Sequence, residues 1–168
     1  MAASQSELKM ASQEGSKPES FVKHAATDGM AEVELGKIAL QKSQDPAVRK
    51  FAQRMVTDHG KANTELASIA KRKNLDVPTS LDSKHQSLVQ SMNAKSGAAF
   101  DAAYSEHMQA DHSKAIALFE AASKSSDTDL AAFAKKTLPT LQEHKQMADA
   151  LPAGSRSASA DKSMPKRE

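Results

Sequence analysis

The hydrophobic positions of this chain recur with the three- and four-residue spacing of helices, interrupted by short breaks rich in Ser, Asp, Asn and Pro. The first helix is predicted over 21–42, with Ser20 as its N-cap. A second helix is predicted over 46–73, because Asp45 is a preferred N-cap and Pro46 suits the first helical position, where a missing N–H costs nothing. The short break between these helices predicts a tight hairpin.

Three further helices are predicted around and after the break "NLDVPTS". A short helix is expected over 82–93, a long one over 98–123 and a last one over 128–151. Pro139 lies inside the last helix, where a proline removes one backbone hydrogen bond. We therefore expect a bend in that helix.

A repeat relates the two halves of the chain. The octet "MVTDHGKA" at 55–62 returns as "MQADHSKA" at 108–115, and each of the segments 21–73 and 100–151 is a pair of long helices. Two antiparallel hairpins can bury their apolar stripes by packing together. This pattern predicts an all-α four-helix bundle with the short extra helix in the crossover.

The two ends of the chain lack this hydrophobic spacing. Residues 1–19 and 152–168 are rich in Ser and charged side chains, so both are predicted to be disordered tails around a helical domain over 20–151. Composition favours the all-α class, because apolar residues make up 39% of the chain and aromatic residues only 4%. Ala, Leu, Val and Met dominate the apolar content and fill closely packed helices well.

Charge and residue types exclude several classes of function. The 23 basic and 21 acidic side chains give a net charge of +2 with no strong basic patch, which argues against nucleic-acid binding. The absence of Cys excludes disulfides, thiolate metal sites and thiol catalysis. No run approaches the ~20 apolar residues of a transmembrane helix. The N-terminal "MAASQSELKM" shows no signal peptide.

Three of the long helices each carry one histidine within an apolar seam, directly after an acidic residue. The pairs are Asp58 with His59, Asp111 with His112, and Glu143 with His144. A buried imidazole must satisfy two ring nitrogens away from water. Either hydrogen bonds within the protein or a shared metal ion would do this, and the pattern alone leaves both interpretations open.

The first helix adds a carboxylate to this set. Glu32 lies on a buried ridge and differs from His59 in height by ~4.5 Å, so these side chains could meet. Adjacent acid–histidine pairs diverge by ~100° around a helix. They therefore do not reproduce the Glu-x-x-His signature of di-iron bundles, and we expect a mononuclear site or none.

Other histidines and the methionines give weaker signals. His112 and His144 differ in height by ~7 Å, which is uncomfortable for one ion, so a lower site of His107, Glu143 and His144 is the alternative. His85 lies among apolar residues of the short helix and is expected to help dock it. Methionine at seam spacing is expected to fill the core rather than bind metal.

Together these residues resemble one known family. The runs "AEVELGKIALQKSQDPAVRKFAQRMVTDHGKANTELASIA", "AAYSEHMQADHSKAIALFEAAS" and "FAKKTLPTLQEH" are closely similar to the bacterial DUF4142 proteins over about 21–151. The resemblance implies a ferritin-like bundle that is usually exported to the periplasm and has no established enzyme activity. Its matched positions here would be Glu32, Glu34, Asp58, His59, Asp111, His112 and His144.

Three functional hypotheses follow. The leading one is a non-enzymatic, exported helical-bundle protein of the envelope stress response that binds a divalent metal ion. Its expected ligands are Glu32, Asp58, His59, Asp111, His112, Glu143 and His144. The alternatives are a ferritin-like metal-dependent redox or storage protein, and a scaffold for a protein partner or a homodimer whose histidines are only structural.

Overall fold

The computed structural model describes residues 2–152, and within that range every regular element is a helix. The all-α class is therefore confirmed. The helices are α1 (Gln5–Gly15), α2 (Pro18–Lys42), α3 (Pro46–Arg72), α4 (Ser83–Asn93), α5 (Gly97–Ala122) and α6 (Thr128–Asp149). The predicted C-terminal tail lies outside the described residues apart from Pro152. None of the described helices has the length and apolar character that crossing a membrane requires.

The four long helices form two hairpins. In the turn between α2 and α3, the Asp45 carboxylate accepts hydrogen bonds from the backbone N–H groups of Ala47 and Val48, at 2.8 and 3.1 Å, as its predicted capping role requires. Asp127 caps α6 in the same way at the turn after α5. The hairpins pack on each other through α2 with α5 and α3 with α6, and α4 lies in the crossover against α2.

Two apolar clusters fill the interior. One surrounds Phe21, Phe119 and Phe133, and the other surrounds Phe51 and Tyr104. Each of the four long helices contributes to both clusters, and each carries a glutamate or a histidine that faces the interior between its two apolar stretches. These four side chains are Glu32, His59, His112 and His144. A polar layer therefore separates the two apolar cores.

The prediction of a disordered tail over 1–19 is wrong. Ser4 and Glu7 form a reciprocal capping box at the start of α1, and α1 packs along α5. Gly15 is buried at the end of α1, where a Cβ atom would overlap the Leu118 carbonyl oxygen of α5. The packed domain thus begins before residue 20. Although α1 is mostly polar, it is stabilised by packing one narrow face against α5.

The start of α2 also differs from the prediction. Ser20 lies inside the helix rather than at its N-cap, because Pro18 already occupies the first helical position after Lys17. The Ser20 hydroxyl donates a hydrogen bond to the Glu14 carboxylate instead. At the other end of the chain, α6 continues through Pro139 and ends at Asp149.

His85 docks α4 on α2, as expected. Its Nδ1 lies 2.7 Å from Asp82 Oδ1 and its Nε2 lies 3.0 Å from Asp28 Oδ1. Carboxylates only accept hydrogen bonds, so this geometry favours the doubly protonated ring. The hydrogen bond to Asp28, followed by that to Asp82, raises the pKa of His85 to about 9.

Two glycine substitutions should change stability in opposite directions. Gly15→Ala should lower the free energy of unfolding by about 1–3 kcal/mol, because the new methyl group meets backbone atoms that cannot move independently. Gly60→Ala in α3, where an added Cβ meets no other described residue within 4 Å, should raise it by up to about 1 kcal/mol. Urea titration followed by circular dichroism measures both. Equal effects would contradict the close packing of α1 on α5.

The charge of His85 should make stability depend on pH. Because its pKa is raised in the native state, its contribution is fully present below pH 6.5 and is lost as the pH rises towards about 9. Urea midpoints at pH 6, 7.5 and 9 should therefore fall more steeply in the wild type than in His85→Gln. His24→Gln is the control, since His24 is partly exposed near Glu14. Parallel curves for wild type and His85→Gln would refute the charged bridge.

Candidate metal centre

Three helices bring one imidazole each into the polar layer. His59 comes from α3, His112 from α5 and His144 from α6. Their ring centroids lie 5.8 Å apart for His59 and His112, 5.4 Å for His59 and His144, and 5.5 Å for His112 and His144. We call these three residues the histidine triad.

Hydrogen bonds fix the tautomers of two members of the triad. His112 Nδ1 lies 2.9 Å from the Met108 carbonyl oxygen, which can only accept, so Nδ1 carries the proton. His144 Nε2 lies 2.7 Å from Asp58 Oδ2, and the carboxylate accepts there in the same way. The lone pairs are consequently on His112 Nε2 and His144 Nδ1.

Each ring of the triad also has one nitrogen that is buried and unpartnered among the described residues. His112 Nε2, His144 Nδ1 and His59 Nε2 are each buried and have no hydrogen-bond partner within residues 2–152. One nitrogen of each ring lies within 4.8 Å of one nitrogen of each of the others. The triad therefore presents convergent nitrogen donors without an internal hydrogen bond to satisfy them.

Burial keeps these rings neutral. Loss of solvation, followed by the neighbouring imidazoles, lowers the pKa of His59 to about 3. Loss of solvation also lowers the pKa of His112, to about 4, and it lowers the pKa of His144 despite the opposing effect of Asp58. At neutral pH all three rings are thus uncharged bases, which is the form that binds metals.

The acidic neighbours of the triad have different roles. Asp58 accepts from His144 and also from Arg54 Nε at 2.9 Å, so it supports the triad from outside. Glu143 is exposed and accepts two hydrogen bonds from Arg54, at 3.0 and 3.2 Å. The structure therefore does not bring Glu143 to the triad, and the alternative site of His107, Glu143 and His144 is wrong.

Glu32 and Asp111 belong to a second group with His107. One donor atom of each lies within 4.8 Å of the other two, and we call these residues the carboxylate cluster. The sequence predicts His107 only as a partner of Glu143 and His144. Its position one helical turn before Asp111 is the signal that pairs it with that carboxylate instead.

Both groups border one small internal cavity. Glu32, His59, Asp111 and His112 line it together with mostly apolar side chains, and its volume is about 30 Å³. A space of this size holds a water molecule or an ion. The polar layer is thus closely packed yet leaves room at its centre.

Comparisons with known proteins support the fold and family. A family model described as a domain of unknown function, DUF4142, matches residues 2–151. No curated protein matches the chain. The crystal structure of a DUF305 fragment from Deinococcus radiodurans is similar, with a TM-score of 0.68 and 13% sequence identity over 89% of this chain and 97% of that one. At this identity the likeness shows the fold alone, and the ferritin-like relationship stays a prediction.

The neutral triad should make the metal-free protein sensitive to acid. Between pH 6.5 and about 4, His59 and His112 are protonated in the unfolded chain but neutral in the native protein. The free energy of unfolding should therefore fall as the pH falls. Each such histidine contributes about 1.4 kcal/mol per pH unit. His112→Gln should reduce this slope, because it removes one of the two buried rings. Urea titrations in EDTA at several pH values measure it, and a flat wild-type profile would contradict the buried neutral rings.

Proposed function

Because the chain belongs to the DUF4142 family, a domain of unknown function, we propose a function from geometry alone: the protein binds one divalent transition-metal ion through His59, His112 and His144. The observation that carries this proposal is a set of three imidazoles that each hold one buried, unpartnered ring nitrogen and that approach one another to within 4.8 Å between ring nitrogens. Each such nitrogen costs about 1–3 kcal/mol when it is left unsatisfied. If the three histidines were purely structural, we would expect these nitrogens to form hydrogen bonds within the protein.

The outer contacts of the rings support the same proposal. Metal-binding histidines usually donate their second N–H to a carboxylate or a backbone carbonyl, which fixes the tautomer and directs the free lone pair at the ion. Asp58 acts in this way on His144, and the Met108 carbonyl on His112. The acid of the repeated Asp-His pair thus supports a ring on another helix rather than the ring beside it.

The donor set indicates the class of metal. Three neutral imidazoles suit Zn²⁺, Cu²⁺, Ni²⁺ or Fe²⁺ far better than Mg²⁺ or Ca²⁺, which require oxygen ligands. Tetrahedral zinc with Zn–N bonds of about 2.0–2.1 Å would place the nitrogens about 3.4 Å apart. The rings need to draw together slightly to reach that distance. Three protein ligands leave a fourth position for water or another small ligand.

We further propose that the protein is non-enzymatic, exported and active in envelope stress. A non-enzymatic role is favoured because the sequence lacks the Glu-x-x-His pairs of di-iron bundles. Assays of peroxide consumption and iron oxidation test the redox alternative, and activity above background would overturn the non-enzymatic role. Export and a role in envelope stress rest on the family resemblance. Fractionation of cells that express the native gene tests the location.

Zinc should stabilise the untagged, metal-free protein. With one molar equivalent of Zn²⁺ we expect a rise in melting temperature that His59→Ala and His112→Ala each abolish while retaining the helical circular dichroism signal. Asp58→Asn should weaken affinity by about 10- to 100-fold, as loss of an outer partner does elsewhere. His24→Ala is the matched control and should keep the full rise.

Two results would count against this function. One is a wild-type protein that shows no stabilisation by Zn²⁺, Cu²⁺, Ni²⁺ or Fe²⁺. The other is a loss of about 1–4 kcal/mol in the alanine variants that is the same with and without metal, because structural histidines lose only packing and hydrogen bonds. Scanning calorimetry with and without EDTA distinguishes these cases.

A further inference from the structure

The carboxylate cluster is a second group of convergent donors with its own chemistry. α5 supplies His107 and Asp111, which lie one turn apart and so share a face of the helix. α2 packs against α5 and supplies Glu32. One donor atom from each residue lies within 4.8 Å of the other two. Two carboxylates and one imidazole thus meet between two helices.

Glu32 is the side chain that requires a partner. It is 2% exposed, and neither of its carboxylate oxygens receives a hydrogen bond from an N–H or hydroxyl donor within residues 2–152. Its acidic neighbour Asp111 can share a proton with it but cannot supply positive charge. A buried carboxylate without compensation is strongly unfavourable, so it must take up a proton or face a cation. Glu34, two residues further along α2, instead lies at the surface and accepts from Lys37 at 2.9 Å.

The charges around Glu32 are consistent with a cation. Burial, followed by the charge of Asp111, raises the pKa of Glu32 well above its ordinary value. Burial opposes ionisation of Asp111 as well, yet His107, a hydrogen bond with Glu32 and the charge of Lys114 hold its pKa low. Without a cation, Glu32 is therefore the member of the pair that carries the proton. Lys114 Nζ lies 3.6 Å from Asp111 Oδ1 at the partly exposed edge of the cluster. Its charge also acts on Glu32, but too weakly to offset burial, and the ion pair that Lys114 forms is with Asp111.

The cluster can be reached from solvent. An open depression of about 490 Å³ is bordered by His107, Asp111 and Lys114, together with Asp28 and His85. Asp111 also borders the internal cavity that Glu32 lines. Asp111 thus lies between the open depression and the cavity that Glu32 lines, so one side of the cluster faces a space that is open to solvent.

We propose that Glu32, His107 and Asp111 form a second divalent-cation site, separate from the histidine triad and selective for a harder ion such as Mn²⁺. Carboxylate oxygens suit Mn²⁺, whereas three imidazoles suit Zn²⁺ or Cu²⁺. The ion would neutralise the buried Glu32 carboxylate and meet the unpartnered oxygens. This inference does not rest on metal binding by the triad, since no triad residue belongs to the cluster.

Mn²⁺ titration of the untagged, metal-free full chain tests the site. The electron paramagnetic resonance signal of free Mn²⁺ reports how much ion remains unbound. Wild type should bind one Mn²⁺, and both Glu32→Gln and His107→Gln should weaken this binding by more than about 10- to 100-fold, the loss seen even for outer partners of a metal. Glu34→Gln, on the same helix, should bind as wild type does.

Further variants separate this site from the triad. His112→Ala removes a triad donor and should weaken Mn²⁺ binding less than Glu32→Gln does, whereas Glu32→Gln should retain the stabilisation by Zn²⁺ that His112→Ala abolishes. Smaller mutual effects are expected because the two groups border one cavity. Circular dichroism verifies that each variant is folded, and His107→Gln replaces Glu32→Gln if the latter does not fold. Absence of Mn²⁺ binding in the wild type, or binding that neither cluster substitution weakens, would overturn the proposal.

Discussion

The structure depends on the removal of four polar side chains from water in one layer between two apolar cores. Every long helix passes from one core to the other and carries a glutamate or a histidine at the crossing point. Desolvation lowers the pKa values of the histidines and raises that of Glu32. The loss of solvation that makes burial of this layer unfavourable therefore also produces neutral imidazoles and a carboxyl group that ionises only beside a positive charge.

The helices and the buried histidines could be predicted from hydrophobic spacing, because seam periodicity depends only on local geometry. The relative heights of His112 and His144 could not be predicted in this way. The expected height difference between their side chains is wrong, because the two rings lie 5.5 Å apart. Cβ atoms lean towards the N-terminus of a helix. In an antiparallel hairpin the side chains of the first helix thus lean away from the turn and those of the second lean towards it. A height estimated from the number of residues between each histidine and the turn does not include this tilt, which brings the two side chains closer together.

The acidic residues were harder to assign for a related reason. Neighbours in a helix sequence point about 100° apart, so an acid before a buried histidine reaches a different surface. Asp58 reaches His144, Asp111 reaches the carboxylate cluster, and Glu143 reaches Arg54 on the surface. The composition of residues 1–19 predicts a disordered tail and not α1. The spacing of Ser4 and Glu7, which is that of a capping box, is the local signal for the start of this helix.

The distribution of the triad over both hairpins has a kinetic consequence. His59 belongs to the first hairpin, while His112 and His144 belong to the second. An ion held by all three would tie together segments that are distant along the chain. A fluctuation that displaces one ring would leave the ion bound to two others, so its release would require bonds to both hairpins to break in the same opening event. A bound ion would therefore dissociate slowly and would couple the opening of one hairpin to that of the other.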